Sequence, residues 1–134
     1  MKVKHTYNNE DIKILSQTGA QVVHCPESNM KLASGISPIN KLLEADINVG
    51  LGTDGAASNN DLNLFGELKS AALLAKINTL DATSLTATEA LTLGTLGGAK
   101  VLGMDKSIGT IEVGKLGDLI AVNLDHVAMQ PIHD

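Results

Sequence analysis

Side chains that could perform chemistry follow two apolar runs of this sequence. Asp54 comes directly after "NVGLGT", and glycine, alanine, serine and asparagine follow it in "GAASNN". His24 ends the earlier run "AQVVH", with Ser28 and Asn29 close behind. Because functional groups collect at the carboxyl ends of strands in parallel α/β architectures, these two strand ends are expected to meet at one rim. One interpretation of Asp54 is a metal or phosphate site at the end of a strand.

Other interpretations of the same residues remain open. Asp54 before Gly55 could begin an ordinary Asx-turn. A phosphate nest is disfavoured because the loop has neither a Gly-Lys-Ser/Thr ending nor a GxGxxG motif, and an acidic residue would repel phosphate. His24 on an apolar run could be a hydrogen-bonded core histidine rather than a ligand, and Cys25 a small buried hydrophobic residue.

The elements that must position these side chains alternate along the chain. A helix is predicted from a cap at Asn9 to a stop at Gly19, followed by a buried strand in "AQVVHC". "PESNMKLASG" is predicted to be a loop, and Ser37 is predicted to cap a helix whose first residue is Pro38. "INVGLGT" is the second predicted strand. The alternation of strands and crossover helices predicts a parallel sheet.

Two further helices are predicted, and after them comes a segment of short apolar runs separated by glycines. "DLNLFGELKSAALLAKI" shows helical spacing, with one predicted inner face made of Leu64, Leu68, Ala71, Ala72 and Ala75. Thr86 with Glu89 forms a capping box before "ATEALTLGTLGGAKVLG". The glycines of that last helix indicate close packing against another backbone. Glu27, Glu44, Glu67 and Glu112 are expected on solvated faces. "GTIEVGKLGDLIAVNLD" is predicted to form short strands of a small antiparallel unit.

Amino-acid composition restricts the classes of protein to which this chain can belong. The chain has 134 residues, 43% hydrophobic and 19% charged, which predicts a soluble globular domain. A net charge of −5 and 1% aromatic residues argue against nucleic acid and anionic membranes as partners. The single cysteine fits a reducing cytoplasm, and no apolar run is long enough to span a bilayer. The predicted localisation is cytoplasmic.

Two loop motifs carry a specific resemblance. "HCPESNMKLASG" and "GTDGAASNNDLN" resemble the seventh and eighth βα units of the metal-dependent amidohydrolase superfamily, in the branch of the 5-methylthioadenosine/S-adenosylhomocysteine deaminases and chlorotriazine hydrolases. The resemblance implies the C-terminal part of a (β/α)₈ TIM-type barrel, about strands 6 to 8, in residues 1–105. It implies the start of a small β-sandwich segment in residues 106–134.

The resemblance also implies a reaction and a set of site residues. The reaction is hydrolytic removal of ammonia from an adenine ring of a small-molecule nucleoside, with one divalent metal, zinc or iron, lowering the pKa of a bound water. Asp54 would bind the metal and accept the proton of that water. His24, Ser28 and Asn29 match the strand that lines the substrate pocket. Ser58 and Asn59 would hold Asp54 in position.

The chain departs from the family pattern in ways that define rival hypotheses. It has no His-x-His pair, and about 250 residues are needed for a (β/α)₈ barrel. His5 lies near the expected sixth-strand histidine, but two residues out of register. The isolated chain is therefore expected to be inactive, to bind no metal stoichiometrically and to self-associate. The rivals are a related amidohydrolase acting on a chlorotriazine or guanine ring, and an inactive half-barrel that serves as a binding or assembly module.

Overall fold

The computed structural model describes residues 7–125, within which helices and two short strands alternate. His5, like His126 and His133, lies outside the described residues. The elements, in chain order, are α1 (Asn9–Thr18), β1 (Val22–His24), α2 (Pro26–Lys31), α3 (Ile39–Glu44), β2 (Val49–Leu51), α4 (Leu64–Thr79), α5 (Ala87–Thr92), a π-helical turn (Leu93–Gly97) and α6 (Gly98–Val101).

The two strands form a parallel pair, as predicted. Val22 pairs with Val49 and His24 with Leu51. The amide of Gly52 donates to the carbonyl of His24 at 3.0 Å, which extends the ladder past the end of β2. Because parallel strands end at the same edge of a sheet, the segments after His24 and after Leu51 leave β1 and β2 side by side.

The core lies between this sheet and the helices. Its most buried side chains are small or aliphatic, including Leu42, Val49 and Ala71. The predicted inner face of α4 is largely confirmed, since Ala71 and Ala75 are buried and Leu68 and Ala72 pack against the core. Leu64 differs from the prediction: it is 38% exposed and is not among the side chains that pack against the core.

The glycine-rich helix packs directly on the backbone of β2, which confirms the predicted close approach. A Cβ atom added to Gly97 would stand 2.4 Å from the carbonyl oxygen of Val49. A Cβ on Gly50 would in turn stand 3.0 Å from the Cα of Gly98. Only hydrogen side chains allow this approach, so these glycines set the distance between the helix and the strand that precedes Asp54.

Three local predictions are wrong. Residues 26–31 of "PESNMKLASG" form helix α2 rather than a loop, with Pro26 at its first position, where its missing N–H costs nothing. Helix α1 is capped by Asn8 instead of Asn9, through a capping box with Asp11. Ser37 does not cap α3, whose N-cap residue is Pro38.

The strands predicted in "GTIEVGKLGDLIAVNLD" are also absent: residues 109–125 contain no strand in the described structure. Strands need partners for their backbone groups. The backbone bonds described for this segment include one from the Leu116 amide to the Ser107 carbonyl at 2.8 Å, which is not part of a strand pair. The predicted division between residues 105 and 106 stays a prediction. Among the described residues, no helix has the length and apolar character to cross a bilayer.

Candidate active site

Asp54 begins the loop after β2 in a left-handed backbone conformation, with φ of 61°. Aspartate tolerates this region better than most residues, yet such conformations concentrate at functional sites. The amide of Gly55 donates to Oδ1 of Asp54 at 2.8 Å, and the hydroxyl of Ser28 donates to Oδ2 at 2.8 Å. Each carboxylate oxygen is thus bound by a donor from a different segment of chain, which restricts how the carboxylate can turn.

Ser58 and Asn59 contact the backbone on either side of Asp54. The hydroxyl of Ser58 donates to the carbonyl of Gly55 at 3.0 Å. The side-chain amide of Asn59 donates to the carbonyl of Thr53 at 3.0 Å. Neither bond is made to the carboxylate itself. Both residues instead stabilise the backbone of the turn that carries Asp54.

Glu67 joins this site, although the sequence analysis placed it on a solvated face; that prediction is wrong. The residue is 0% exposed. Its Oε1 accepts a hydrogen bond from Asn59 Nδ2 at 2.6 Å, and its Oε2 accepts one from the amide of Glu27 at 3.1 Å. Burial raises the pKa of Glu67, and these hydrogen bonds oppose that rise. No local pattern marks Glu67; an acid in the first turn of an amphipathic helix usually faces water.

His24 and Asn29 are buried and line a cleft of about 220 Å³ that Asp54 also lines. Burial lowers the pKa of His24 to about 4, so the imidazole is neutral at neutral pH. A neutral imidazole has one donor and one acceptor nitrogen. The remaining lining residues are Tyr7, Val22, Val23, Cys25 and Ser37.

Two of these lining residues add polar or sulfur groups. Cys25 is only half-buried, and burial, with the charges of Asp54 and Glu67, raises the pKa of its thiol. Ser37 is 5% exposed, and its hydroxyl has no hydrogen-bond partner among the described residues. The cleft therefore presents a carboxylate, a neutral imidazole, an amide and a hydroxyl to whatever enters it.

Asp54 is chemically suited to bind a divalent metal, because zinc sites accept carboxylate oxygen alongside imidazole nitrogen. In residues 7–125 no group of three His, Cys, Asp or Glu side chains is arranged to hold a metal ion. Asp54 therefore fits as one ligand of a metal site, and a complete set of three protein ligands would need at least one from outside the described residues.

The amidohydrolase family profile matches residues 2–133, and the chain belongs to that family. Membership implies a TIM-barrel-type fold, and the parallel strands β1 and β2 with their packed helices agree with a part of one.

Three relatives show where in the family the similarity lies. The chain is 50% identical over 127 residues to the 5-methylthioadenosine/S-adenosylhomocysteine deaminase of Syntrophobacter fumaroxidans, covering 95% of this chain and 29% of the relative. An adenosine deaminase from Xanthomonas campestris, solved with bound zinc, is 49% identical with a TM-score of 0.89 over 96% of this chain and 29% of that one. The atrazine chlorohydrolase of Arthrobacter aurescens, complexed with zinc, is 32% identical with a TM-score of 0.89, covering 98% and 29%. The chain thus spans less than a third of the length of each.

Proposed function

We propose that this chain is part of a metal-dependent aminohydrolase that deaminates adenine-containing nucleosides of the 5-methylthioadenosine and S-adenosylhomocysteine type. In the reaction, the bond from the adenine ring carbon to its amino group breaks, a carbon–oxygen bond forms from water, and ammonia leaves. β1 and β2 would be the seventh and eighth strands of the barrel, which puts Asp54 at the end of the eighth.

One observation carries the choice of substrate class. Along nearly the same residues, the chain is 49–50% identical to the two deaminases but 32% identical to the chlorohydrolase, while the folds match equally well. The backbone therefore does not separate the candidates, and the side chains favour the deaminases.

The described residues have separate tasks in the proposed reaction. Asp54 accepts a proton from the attacking water, and Ser28 and Gly55 hold its carboxylate in one orientation while it does so. His24 and Asn29 are buried beside Asp54 in the cleft, so they would hydrogen-bond the polar edge of the ring. Ser58 and Asn59 stabilise the turn that carries Asp54 through their hydrogen bonds to its backbone. When bound, with Asp54 as one ligand, the divalent metal supplies Lewis-acid activation of water.

The test is ammonia release by the complete gene product that contains this chain. We expect turnover of 5-methylthioadenosine and S-adenosylhomocysteine, and little or none of guanine or atrazine. Asp54→Asn should abolish it. Asp61→Asn is the matched control, because Asp61 lies in the same loop and an asparagine oxygen can still accept the amide of Asn63. Hydrolysis of atrazine or guanine in preference to the adenine nucleosides would assign a different substrate class.

The second candidate function is an inactive half-barrel that acts as a binding or assembly module. It is favoured by one feature: the described residues bring no three side chains together that could hold a metal ion. It predicts a stable oligomer whose assembly is indifferent to metal and to Asp54→Asn. Ammonia release that disappears with Asp54→Asn would exclude it.

A further inference from the structure

Glu67 is a carboxylate inside the protein, and the proposed reaction has no direct use for it. Its side chain is among the largest that are fully buried in the described structure. Charged side chains are almost never fully buried without partners, because removing them from water costs several kcal/mol. Its two acceptor oxygens must therefore perform a task that a leucine in the same place could not.

The first oxygen connects Glu67 to the backbone immediately before Asp54. Asn59 Nδ2 donates at 2.6 Å to Oε1 of Glu67 and at 3.0 Å to the carbonyl of Thr53. One amide group thus uses both of its hydrogens, one on helix α4 and one on the residue adjacent to Asp54 in the chain. Glu67 therefore restrains the side chain of Asn59, and Asn59 in turn restrains the backbone at Thr53, where the turn that carries Asp54 begins.

The second oxygen connects Glu67 to the other segment that reaches Asp54. The amide of Glu27 donates to Oε2 of Glu67 at 3.1 Å, in the first turn of α2. The next residue, Ser28, donates its hydroxyl to Asp54. Ser70, one turn further along α4, donates to Oε1 of Glu27 at 2.9 Å and adds a second link between the same helices.

We propose that Glu67 is a positioning residue for Asp54. Its carboxylate connects the segment after β1 with the segment after β2, and this connection fixes the donors that hydrogen-bond the Asp54 carboxylate. This inference rests on the proposed function for its catalytic consequence, although the geometric consequence can be measured without it. A carboxylate suits the task because both partners are donors. A glutamine must turn its NH₂ group toward one of them.

The first experiment measures the orientation of Asp54 in this 134-residue chain. The amide of Gly55 donates to Oδ1 of Asp54, so its ¹H and ¹⁵N chemical shifts report on that bond. We expect Glu67→Gln and Asn59→Ala each to move the Gly55 resonance and to shift its amide proton upfield, because the bond to Asp54 weakens. Ile12→Val, which shortens a buried core side chain outside this network, serves as the control for a general loss of stability.

The second experiment follows the consequence in the complete gene product. Replacing residues that orient a metal ligand typically costs 10–100-fold in activity or metal affinity. We expect Glu67→Gln and Asn59→Ala to lower kcat by about tenfold or more, with KM little changed and less than one zinc retained per chain. The double variant should lose less than the two single losses combined, because the bond between Asn59 and Glu67 is common to both. Ile12→Val should keep its kcat and its zinc.

The outcomes separate this inference from the proposed function. A Gly55 resonance, a kcat and a zinc content unchanged in both variants would overturn the positioning role, even if both variants unfold more easily. If Glu67→Gln does not fold, Asn59→Ala cuts the same link at its other end and decides the matter. If the complete wild-type protein deaminates no adenine nucleoside, the proposed function fails, while the Gly55 resonance still decides what Glu67 does.

Discussion

The hydroxyl of Ser28 donates a hydrogen bond of 2.8 Å to Oδ2 of Asp54, across the gap between the segments that follow β1 and β2. Ser28 is buried, whereas Asp54 is exposed, so the buried partner orients the exposed one. A hydrogen bond to a charged group stabilises more than a neutral one, by about 1.5–3 kcal/mol when shielded from water. Through this bond, the segment after β1 restricts how the candidate catalytic carboxylate can turn.

Ser28→Ala should therefore impair the reaction more than the fold. In the complete gene product we expect kcat for 5-methylthioadenosine to fall by about tenfold, because the carboxylate loses the donor that orients its Oδ2 atom. Ser16→Ala is the matched control: it also removes a side-chain hydrogen bond, here to the carbonyl of Ala45, between segments that precede β1 and β2 rather than follow them. An equal effect of the two substitutions on kcat would contradict the assignment.

Burial of His24 should make the stability of the chain depend on pH. The pKa of His24 is about 4 in the folded chain, against 6.5 for an ordinary histidine. Between these values the unfolded chain binds a proton that the folded chain does not, so the free energy of unfolding falls as pH falls from 6.5 towards 4. A difference of this size corresponds to about 3 kcal/mol.

The measurement is urea unfolding at several pH values between 4 and 7.5, for the wild type and His24→Gln. We expect the gap between the two proteins to change over this range, since only the wild type carries the titrating imidazole. Comparing two proteins that share every other histidine removes the contributions of those residues. A gap that stays constant with pH would show that His24 titrates normally.

Gly97 and Gly98 allow a test of the packing that supports β2. Gly97→Ala should lower the free energy of unfolding by about 1–3 kcal/mol, because the new Cβ would stand 2.4 Å from the carbonyl oxygen of Val49. Gly98→Ala is the neighbouring control, since its Cβ would meet nothing closer than 3.9 Å. Alanine there should be neutral or stabilise the helix by up to about 1 kcal/mol. Thermal unfolding would show the contrast, and an equal effect of both substitutions would refute it.

The general arrangement of the site could be predicted from the sequence, because it depends on local patterns. Apolar runs predicted β1 and β2, alternation with helices predicted a parallel pair, and the shared edge of that pair predicted that residues following His24 and Leu51 would meet. The structure bears this out in the contact between Ser28 and Asp54. The role of Asp54 in metal binding came from family resemblance and stays a proposal.

Glu67 and residues 109–125 could not be predicted in the same way. Glu67 is distinguished by partners 8 and 40 residues away in the chain, so nothing in its own helix separates it from a solvated acid. Strand formation in residues 109–125 depends on pairing partners, which local β-propensity does not supply. Helix α2 was missed for another reason: serine, asparagine and proline are common in loops, but Pro26 at a first helical position also fits a helix start.

Zinc should bind the isolated chain poorly. Catalytic zinc sites normally take three protein ligands, and the described residues bring no three suitable side chains together. Calorimetric titration of the 134-residue chain with zinc should show no stoichiometric site, and Asp54→Asn should leave the trace unchanged. Stoichiometric binding, or turnover of 5-methylthioadenosine with added zinc that Asp54→Asn abolishes, would contradict this expectation.

Self-association of the isolated chain is expected from its exposed apolar surface. Large apolar side chains stand in water along residues 109–125, where Ile111 is 85% exposed and Ile120 79%. Val23, on strand β1 itself, is 54% exposed. Soluble monomers rarely expose large contiguous apolar patches, and unpaired strand edges invite pairing with another chain.

Sedimentation velocity over a hundredfold range of protein concentration would measure this association. We expect the weight-average sedimentation coefficient to rise with concentration in the wild type, and to rise less in a variant carrying Ile111→Ser and Ile120→Ser. Lys100→Ser, at an exposed polar position, is the control and should behave like the wild type. Because apolar contact is the proposed cause, moderate salt should not dissolve the oligomer. A single monomeric species at every concentration would refute the expectation.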